Sequence, residues 1–480
     1  MVTTRSKSSR GVSSETTVND SSILSNRSIN SKSKKVKSSK SNDGYSNLII
    51  FISLLLDLFA FTIILPILPR LLNYYQENDS ENGLYSTLHK RILQFQKITG
   101  IPENVNVVLF GGVLGSMFSF LQFLASPIIG AFSDVYGRKK IILLCLVGLA
   151  LSYFLWAVST TFLLFVISRI IAGISKGNLS LSMAAMTDIS SPEDRGSGMA
   201  LIGSAFSIGF VIGPLIGVQF TNQTPFQKQD ILWFMPAVIA FGFILADIIF
   251  VLLFFKETLA EQKRMKSIVD SLRQAFSYIN PVAIFRFSLV KGVPAKDLRF
   301  LRTLGAIYFL YLFIYSGLEF TLTFILYHEF DMEPKQVGLI YCCIGITMAL
   351  LQGGGVRKIP AQSIRKFALW GLLLTIPSFF CVGVAGKNVY ILLAGIFLYS
   401  VATSLVVPCM TTLASKHGTA SQKGTVLGVF RSLGSFGRAL GPLVTSIAYW
   451  SLGSPITYCV GGGLLLIPFC LMQFKLEGKT

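Results

Sequence analysis

Long apolar runs separated by short polar segments dominate the chain between residues 47 and 474. Each run holds about 20 residues, the length that a helix needs to cross a bilayer at about 1.5 Å per residue. The pattern therefore predicts an all-α membrane protein with twelve transmembrane helices. The predicted spans, numbered 1 to 12, are 47–69, 107–132, 140–158, 162–187, 197–220, 231–255, 303–328, 336–355, 366–384, 388–414, 424–448 and 453–474.

Composition supports this class, and the basic residues indicate the orientation. Of the 480 residues, 52% are hydrophobic and only 14% are charged. Twelve crossings place both termini on one side, and about 31 of the 42 Lys and Arg residues lie on that side, in the termini and loops. Because basic loops stay in the cytosol, we expect cytosolic termini in either the plasma membrane or an internal membrane. The net charge of +19 thus indicates topology and not nucleic-acid binding.

The polar segments divide the chain into domains. Residues 1–46 are Ser-rich and basic, which predicts a disordered cytosolic tail, and residues 475–480 form a second tail. Two six-helix halves, 47–255 and 303–474, flank a cytosolic linker at 256–302. Apolar residues recur at helical spacing from Ile268 to Ile279, which predicts an amphipathic helix in the linker.

The two halves are repeats of one another. Three segments of the first half recur in the second at shifts of 228, 230 and 227 residues. Since each half holds an even number of crossings, the repeats are parallel, and a substrate site is expected between them near the membrane midplane. The matched segments are Gly209–Pro214 with Gly437–Pro442, Gly115–Gln122 with Gly345–Gln352, and Arg138-Lys139 with Arg365-Lys366.

The loop after span 2 reads Gly130-Ala-Phe-Ser-Asp134-Val-Tyr-Gly137-Arg138-Lys139. It resembles the loop signature of the major facilitator superfamily, although Val135 departs from the usual basic residue. In that family the loop latches the two halves on the cytosolic side. The resemblance implies a cytosolic gate made of Gly130, Asp134, Gly137 and Arg138, with Asp188 at the end of span 4 as a further member. An ordinary basic turn is the alternative.

Two further motifs carry the resemblance. Arg169-Ile-Ile-Ala-Gly173 in span 4 is similar to the family motif whose Arg is implicated in proton coupling. Gly209, Gly213, Pro214 and Gly217 in span 5 resemble the antiporter motif, with Val218 replacing its final Gly. The alternative is that these small residues only let two helices pack closely, which would give the same sequence pattern.

Longer segments narrow the resemblance. Residues 54–69, 168–178, 308–322 and 406–434 are similar to the animal tetracycline-transporter-like proteins. These are organic-anion exporters of the drug:proton antiporter type, and the resemblance covers nearly all of the chain after residue 46. It implies export of an organic molecule in exchange for protons.

Asp57 stands in the middle of span 1, about 15 Å from its inner end. A carboxylate at that depth is costly and is commonly functional. Arg169 of span 4 is predicted at a similar depth, so we expect the two to pair directly or through water. Asp57, Arg169 and Glu319 of span 7 are the predicted proton-coupling residues. A static pair that only fixes helix packing is the alternative.

Basic residues predict the substrate class. Arg169 and Lys176 are seven residues apart on span 4, as are Arg431 and Arg438 on span 11, so each pair shares a helix face. Few buried acids are available to neutralise them, which predicts a positive cavity and an anionic substrate. The predicted substrate-binding residues are Lys176, Arg431, Arg438 and Glu319, although Arg431 would also fit a lipid-headgroup contact.

The combined prediction is a monomeric secondary active transporter that exchanges organic anions or amphipathic drug-like molecules for protons by alternating access. An uncoupled facilitative carrier and a non-transporting receptor or scaffold are the alternatives. We find no nucleophile motif, phosphate-binding loop or metal-ligand spacing, so we expect no enzyme activity, cofactor or metal site.

Overall fold

The computed structural model describes residues 46–99, 106–189, 195–219, 234–360, 362–417 and 423–476. Its chain divides into two units, residues 1–48 and residues 49–480. Of the first unit only residues 46–48 are described, and they are helical. The predicted N-terminal tail therefore lies almost wholly outside the described residues, as do residues 477–480. The fold below is that of the second unit.

Eleven helices in the described part of the chain are long and apolar enough to cross a membrane. The last contains 52 residues, and Gly453 interrupts it with φ 77° and ψ 168°. It therefore provides spans 11 and 12, and the predicted all-α fold with twelve spans agrees with the structure. The bounds are Ser46–Asn78, Asn106–Tyr136, Arg138–Ala157, Phe162–Ile189, Leu201–Gln219, Met235–Phe254, Ala295–His328, Pro334–Gly355, Ile364–Val384, Val389–Lys416 and Gly424–Lys475.

Polar residues start several of these spans. The Thr161 side chain accepts a hydrogen bond from Leu164 N before span 4, and the Asn388 side chain caps span 10 in the same way. Glu333 and Gln336 form a capping box at the start of span 8. Such caps satisfy the first N–H groups of a helix, which have no partner within it.

Span 4 is discontinuous, which the prediction of one helix over 162–187 missed. It consists of Phe162–Ser175 and Asn178–Ile189, joined by a turn at Lys176 and Gly177. The Gln122 side chain of span 2 donates to Lys176 O at 3.5 Å. Broken backbone is tolerated at membrane depth where protein groups satisfy it. We call Lys176-Gly177 the span 4 joint.

The linker carries a helix, Ile268–Ile279, capped by Ser267. Ser271 Oγ donates to Ala131 O of span 2 at 3.1 Å. Near the other end of the helix, the Tyr278 ring packs against Gly428 of span 11. The linker helix thus contacts both halves at the end of the bundle that carries Gly137, which we call the inner end. The opposite end, which carries Asn106, is the outer end.

The two halves meet where span 2 packs along span 11. At the outer end, Trp450 Nε1 donates to Asn106 Oδ1 at 2.8 Å. Deeper in the bundle, Ser116 Oγ donates to Ala439 O at 2.6 Å and accepts from Leu443 N at 2.9 Å. These bonds hold the two helices in register from the outer end to the middle of the bundle.

Gly441→Ala should destabilise the protein, because a Cβ there would collide with Phe313 O and Ser316 Oγ of span 7. Overpacking against backbone costs about 1–3 kcal/mol. Gly130→Ala is the matched control, since nothing lies within 4 Å of its added Cβ and Ala favours a helix. Thermal unfolding of the detergent-purified proteins should show a lower midpoint for the Gly441 variant alone. Equal midpoints would contradict the close packing of spans 7 and 11.

Candidate functional site

Asp57 and Lys176 form a buried ion pair between spans 1 and 4. Lys176 Nζ lies 2.7 Å from Asp57 Oδ1 and 2.8 Å from Oδ2. The Lys176 side chain is only 4% exposed and the Asp57 side chain only 2%. The ammonium also lies 4.7 Å from the centroid of the Phe61 ring. Because two buried charges require mutual compensation, neither residue can lose its charge without affecting the other.

The expected pairing of Asp57 with Arg169 is wrong. The Arg169 guanidinium instead lies among the rings of Trp156, Phe165 and Tyr153, at 5.0, 5.4 and 5.7 Å from their centroids. Its side chain is buried, and Nη2 finds no hydrogen-bond partner among the described groups. Cation–π contacts stabilise the guanidinium in this aromatic cage.

Depth along the helices explains the correction. Asp57 is 11 residues from the start of span 1 at Ser46, whereas Lys176 and Arg169 are 13 and 20 residues from the end of span 4 at Ile189. At about 1.5 Å per residue, Lys176 lies within about 4 Å of the depth of Asp57 and Arg169 lies about 13 Å beyond it. The prediction placed Arg169 by counting from the outer end of span 4 and assumed a bilayer core about 30 Å thick. Span 4 holds 28 residues, about 42 Å of helix, so Arg169 lies farther from the inner end than expected.

A second ion pair lies within the second half. Arg438 Nη2 of span 11 is 2.8 Å from Glu319 Oε2 of span 7. The Arg438 side chain is 46% exposed, although it stands near the middle of its span. A guanidinium exposed to hydrocarbon at that depth would be costly, which indicates a polar space inside the bundle. Tyr315 lies close enough to interact electrostatically with Arg438, and its ring stacks on Tyr399 at 4.8 Å.

The ion pairs change the predicted charge balance of the cavity. Asp57 compensates Lys176, and Glu319 compensates Arg438, so these two basic residues add no net charge. Arg431 is half-buried beside Tyr308, two turns nearer the inner end than Arg438. The four predicted basic residues therefore have different surroundings. Lys176 and Arg438 are in ion pairs, Arg169 is in the aromatic cage, and Arg431 lies beside Tyr308.

The predicted gate residues lie together at the inner end of the first half. Arg138 Nη1 is 2.7 Å from Asp134 Oδ1, and Arg138 Nε is 3.0 Å from Asp188 Oδ2. Arg138 also donates to Ser133 Oγ. Gly137 adopts φ 97°, which disfavours other residues at the turn between spans 2 and 3. Gly130 contributes its carbonyl, which accepts from Ser133 Oγ at 2.7 Å.

Sequence reasoning missed Glu257 as a member of this cluster. Its carboxylate accepts from Arg138 N at 2.8 Å and from Lys139 N at 3.2 Å, so it caps the start of span 3. Met265 N donates to Asp134 O at 2.9 Å. The only available signal was an acid just after span 6. These bonds connect the first part of the linker to the gate cluster.

The glycines of the antiporter-like motif pack span 5 against span 1. A Cβ at Gly209 would lie 2.8 Å from Leu58 Cβ, and one at Gly213 or Gly217 would meet Thr62 Oγ1 or Ile63 O. Thr62 Oγ1 donates to Gly209 O at 3.0 Å. Pro214 lies inside the helix between these contacts. The motif therefore forms a close seam beside the helix that carries Asp57.

Twelve spans in two six-helix halves, with an ion pair inside each half, are typical of a membrane transporter and not of an enzyme. The chain belongs to the major facilitator superfamily, which it matches over residues 50–442. The predicted family is thereby confirmed.

Individual relatives agree with this family. The chain is 42% identical to human major facilitator superfamily domain-containing protein 10, over 88% of this chain and 92% of that one. It is 27% identical to the class H tetracycline resistance protein of Pasteurella multocida, over 84% and 90% of the two chains. The crystal structure of the human organic anion transporter MFSD10 (TETRAN) superposes with a TM-score of 0.76 at 42% identity, covering 90% of this chain and 99% of that one.

Arg138→Ala should increase the population of states that are open at the inner end. The variant removes contacts with both Asp134 and Asp188, and a differential loss of about 1.4 kcal/mol changes a population ratio about tenfold. Cysteines introduced at the inner ends of spans 4 and 11 should then react faster with a membrane-impermeant maleimide. Glu261→Gln is the control, since this 88% exposed residue contacts only the edge of the cluster through Arg264. Equal labelling rates in both variants would contradict a gating role.

Proposed function

We propose that the protein exports organic anions in exchange for protons by alternating access, with both termini in the cytosol. The observation that carries this proposal is the buried Asp57–Lys176 pair at the span 4 joint. A proton on Asp57 would cancel the carboxylate charge and leave the Lys176 ammonium without compensation. Such an unpaired buried charge costs about 3–5 kcal/mol, enough to bias a conformational equilibrium.

The position of Lys176 connects this change to the gate. Lys176 forms part of the joint between the two segments of span 4. The inner segment, Asn178–Ile189, carries Asp188 at its end. Asp188 Oδ2 lies 3.0 Å from Arg138 Nε. Release of Lys176 would let this segment reorient at the joint and alter the Arg138 contacts. Proton binding in the first half would thereby change access at the inner end.

Arg438 supports an anionic substrate. It is the more exposed member of the second ion pair, at 46% against 23% for Glu319. A substrate carboxylate or sulfonate would compete with Glu319 and form charge-assisted hydrogen bonds. The solved human relative is described as an organic anion transporter, which favours the same class here.

Proteoliposomes containing the purified protein test the proposal. Uptake of matched anionic, cationic and neutral compounds is measured with and without an imposed pH gradient. We expect anions to accumulate only with the gradient and protons to move in the opposite direction. If anions equilibrate across the membrane at the same rate with and without the pH gradient, the uncoupled carrier is favoured. If no compound is taken up, the receptor or scaffold is favoured.

A further inference from the structure

Asp247 of span 6 is a buried carboxyl group that the proposed mechanism has not used. Its side chain is 0% exposed, and neither carboxylate oxygen has a hydrogen-bond partner within normal geometry among the described groups. Ser53, which is itself buried, is the hydroxyl group that faces it. Ser53 precedes Asp57 by one helical turn, so Asp247 lies against the same face of span 1 as the ion pair.

The charged neighbours of Asp247 are the two members of that pair. Asp57 repels a charge on Asp247 and Lys176 attracts it. Span 3, which packs against span 6, contributes Cys145 near Asp57. Lys176 already donates to both oxygens of Asp57, at 2.7 and 2.8 Å. Two carboxyl groups thus lie within electrostatic range of one ammonium group, whose two short contacts in this structure are with Asp57.

Charge balance then determines the protonation of the cluster. With both carboxyl groups ionised, the three buried residues would carry one uncompensated negative charge. Burying an unpaired carboxylate costs far more than burying a neutral carboxyl group. One bound proton makes the cluster neutral, and Asp247 is the carboxyl group that lacks a cation.

We infer that Asp247 holds a proton in this conformation and is the second proton-binding residue of the transporter. This inference deepens the proposed proton coupling and rests on it. When the span 4 joint moves Lys176 toward Asp247, the proton can transfer from the Asp247 carboxyl to the Asp57 carboxylate. The O–H bond of Asp247 breaks as that of Asp57 forms, and Lys176 then pairs with ionised Asp247. The cluster carries one proton and one ion pair before and after the transfer.

Infrared spectroscopy of the lipid-reconstituted protein at neutral pH tests the inference without a transported substrate. A protonated carboxyl group has a separate carbonyl-stretch band that shifts in D2O. We expect this band in the unmodified protein, its loss in Asp247→Asn and its retention in Glu319→Gln. Asp57→Asn should also remove the band, because Asp247 would ionise to compensate Lys176. Asp247→Glu, which keeps a carboxyl group, should retain a shifted band if the amide variant does not fold.

Each outcome decides one part of the inference. Absence of the band from the unmodified protein, or its persistence in Asp247→Asn, would overturn the assignment of the proton. Persistence in Asp57→Asn would overturn the sharing of Lys176. If the band behaves as expected but transport ignores a pH gradient, the proposed coupling fails while the proton assignment stands. If transport follows the gradient and the band is missing, only the inference about Asp247 fails.

Discussion

Asp57→Asn should abolish accumulation of substrate against its gradient when a pH gradient is the driving force. The amide keeps the size of the side chain but cannot bind and release a proton between pH 5 and 8. It also removes the carboxylate that lies 2.7 Å from the Lys176 ammonium in this structure. Uptake into proteoliposomes, measured with and without the gradient, should become equal. Accumulation at the original rate would exclude Asp57 as a coupling residue.

A loss of activity must be separated from a loss of stability. Asp57→Asn removes the hydrogen bonds of 2.7 and 2.8 Å that hold Lys176 and requires the buried Asp247 to ionise as its new partner, so this variant alone should unfold at a lower temperature. The double variant Asp57→Asn, Lys176→Met replaces both charges by neutral groups and should recover most of that stability. It should remain uncoupled. Recovery of gradient-driven transport in the double variant would mean that the pair has only a structural role.

Arg438→Gln should weaken binding of an anionic substrate by about 10- to 100-fold, while a neutral analogue of the same shape loses less than about threefold. Charge-assisted hydrogen bonds contribute about 1.5–3 kcal/mol, which corresponds to that range. The variant also leaves Glu319 unpaired beside the polar space, which adds repulsion toward anions. Competition between the two analogues for a labelled substrate measures the difference.

Glu319→Gln provides the matched control. It leaves Arg438 charged without its 2.8 Å partner, so anion binding should be unchanged or tighter. The double variant Glu319→Gln, Arg438→Gln should lose discrimination between the anionic and neutral analogues. Equal losses for both ligands in Arg438→Gln would indicate a defect in folding or gating. No change for either ligand would place Arg438 outside the substrate path.

The number of spans could be predicted from the sequence, because apolar runs of the required length are visible in it. A bilayer requires about 20 apolar residues per crossing and satisfaction of the backbone within each helix. The break at Gly453 agrees with this reasoning, since positive φ is easy only for Gly. The span 4 joint carried a weaker signal, since the run Ser175-Lys176-Gly177-Asn178 interrupts the apolar pattern without dividing it into two spans.

The partners of the buried charges could not be predicted in the same way. Asp57 was identified from its depth alone, but the depth of Arg169 depended on the assumption that span 4 crosses a core of about 30 Å. The span is about 42 Å long, and an error of about 10 Å in depth is enough to exchange Arg169 for Lys176, seven residues away. The rings around Arg169 come from two spans: Tyr153 and Trp156 from span 3, and Phe165 from span 4. The spacing of these residues along the sequence does not indicate that they lie around the same guanidinium.

Each ion pair is complete within its own repeat: Asp57 with Lys176 in the first, and Glu319 with Arg438 in the second. After an ancestral duplication, the two copies could therefore diverge separately, because neither pair needs a charge from the other copy. If the proposed roles of the two pairs hold, a chimera of the first half of this chain and the second half of a relative should take its proton coupling from this chain and its substrate from the relative. Substitutions in the second half would then change the transported substrate without changing the proton coupling in the first half.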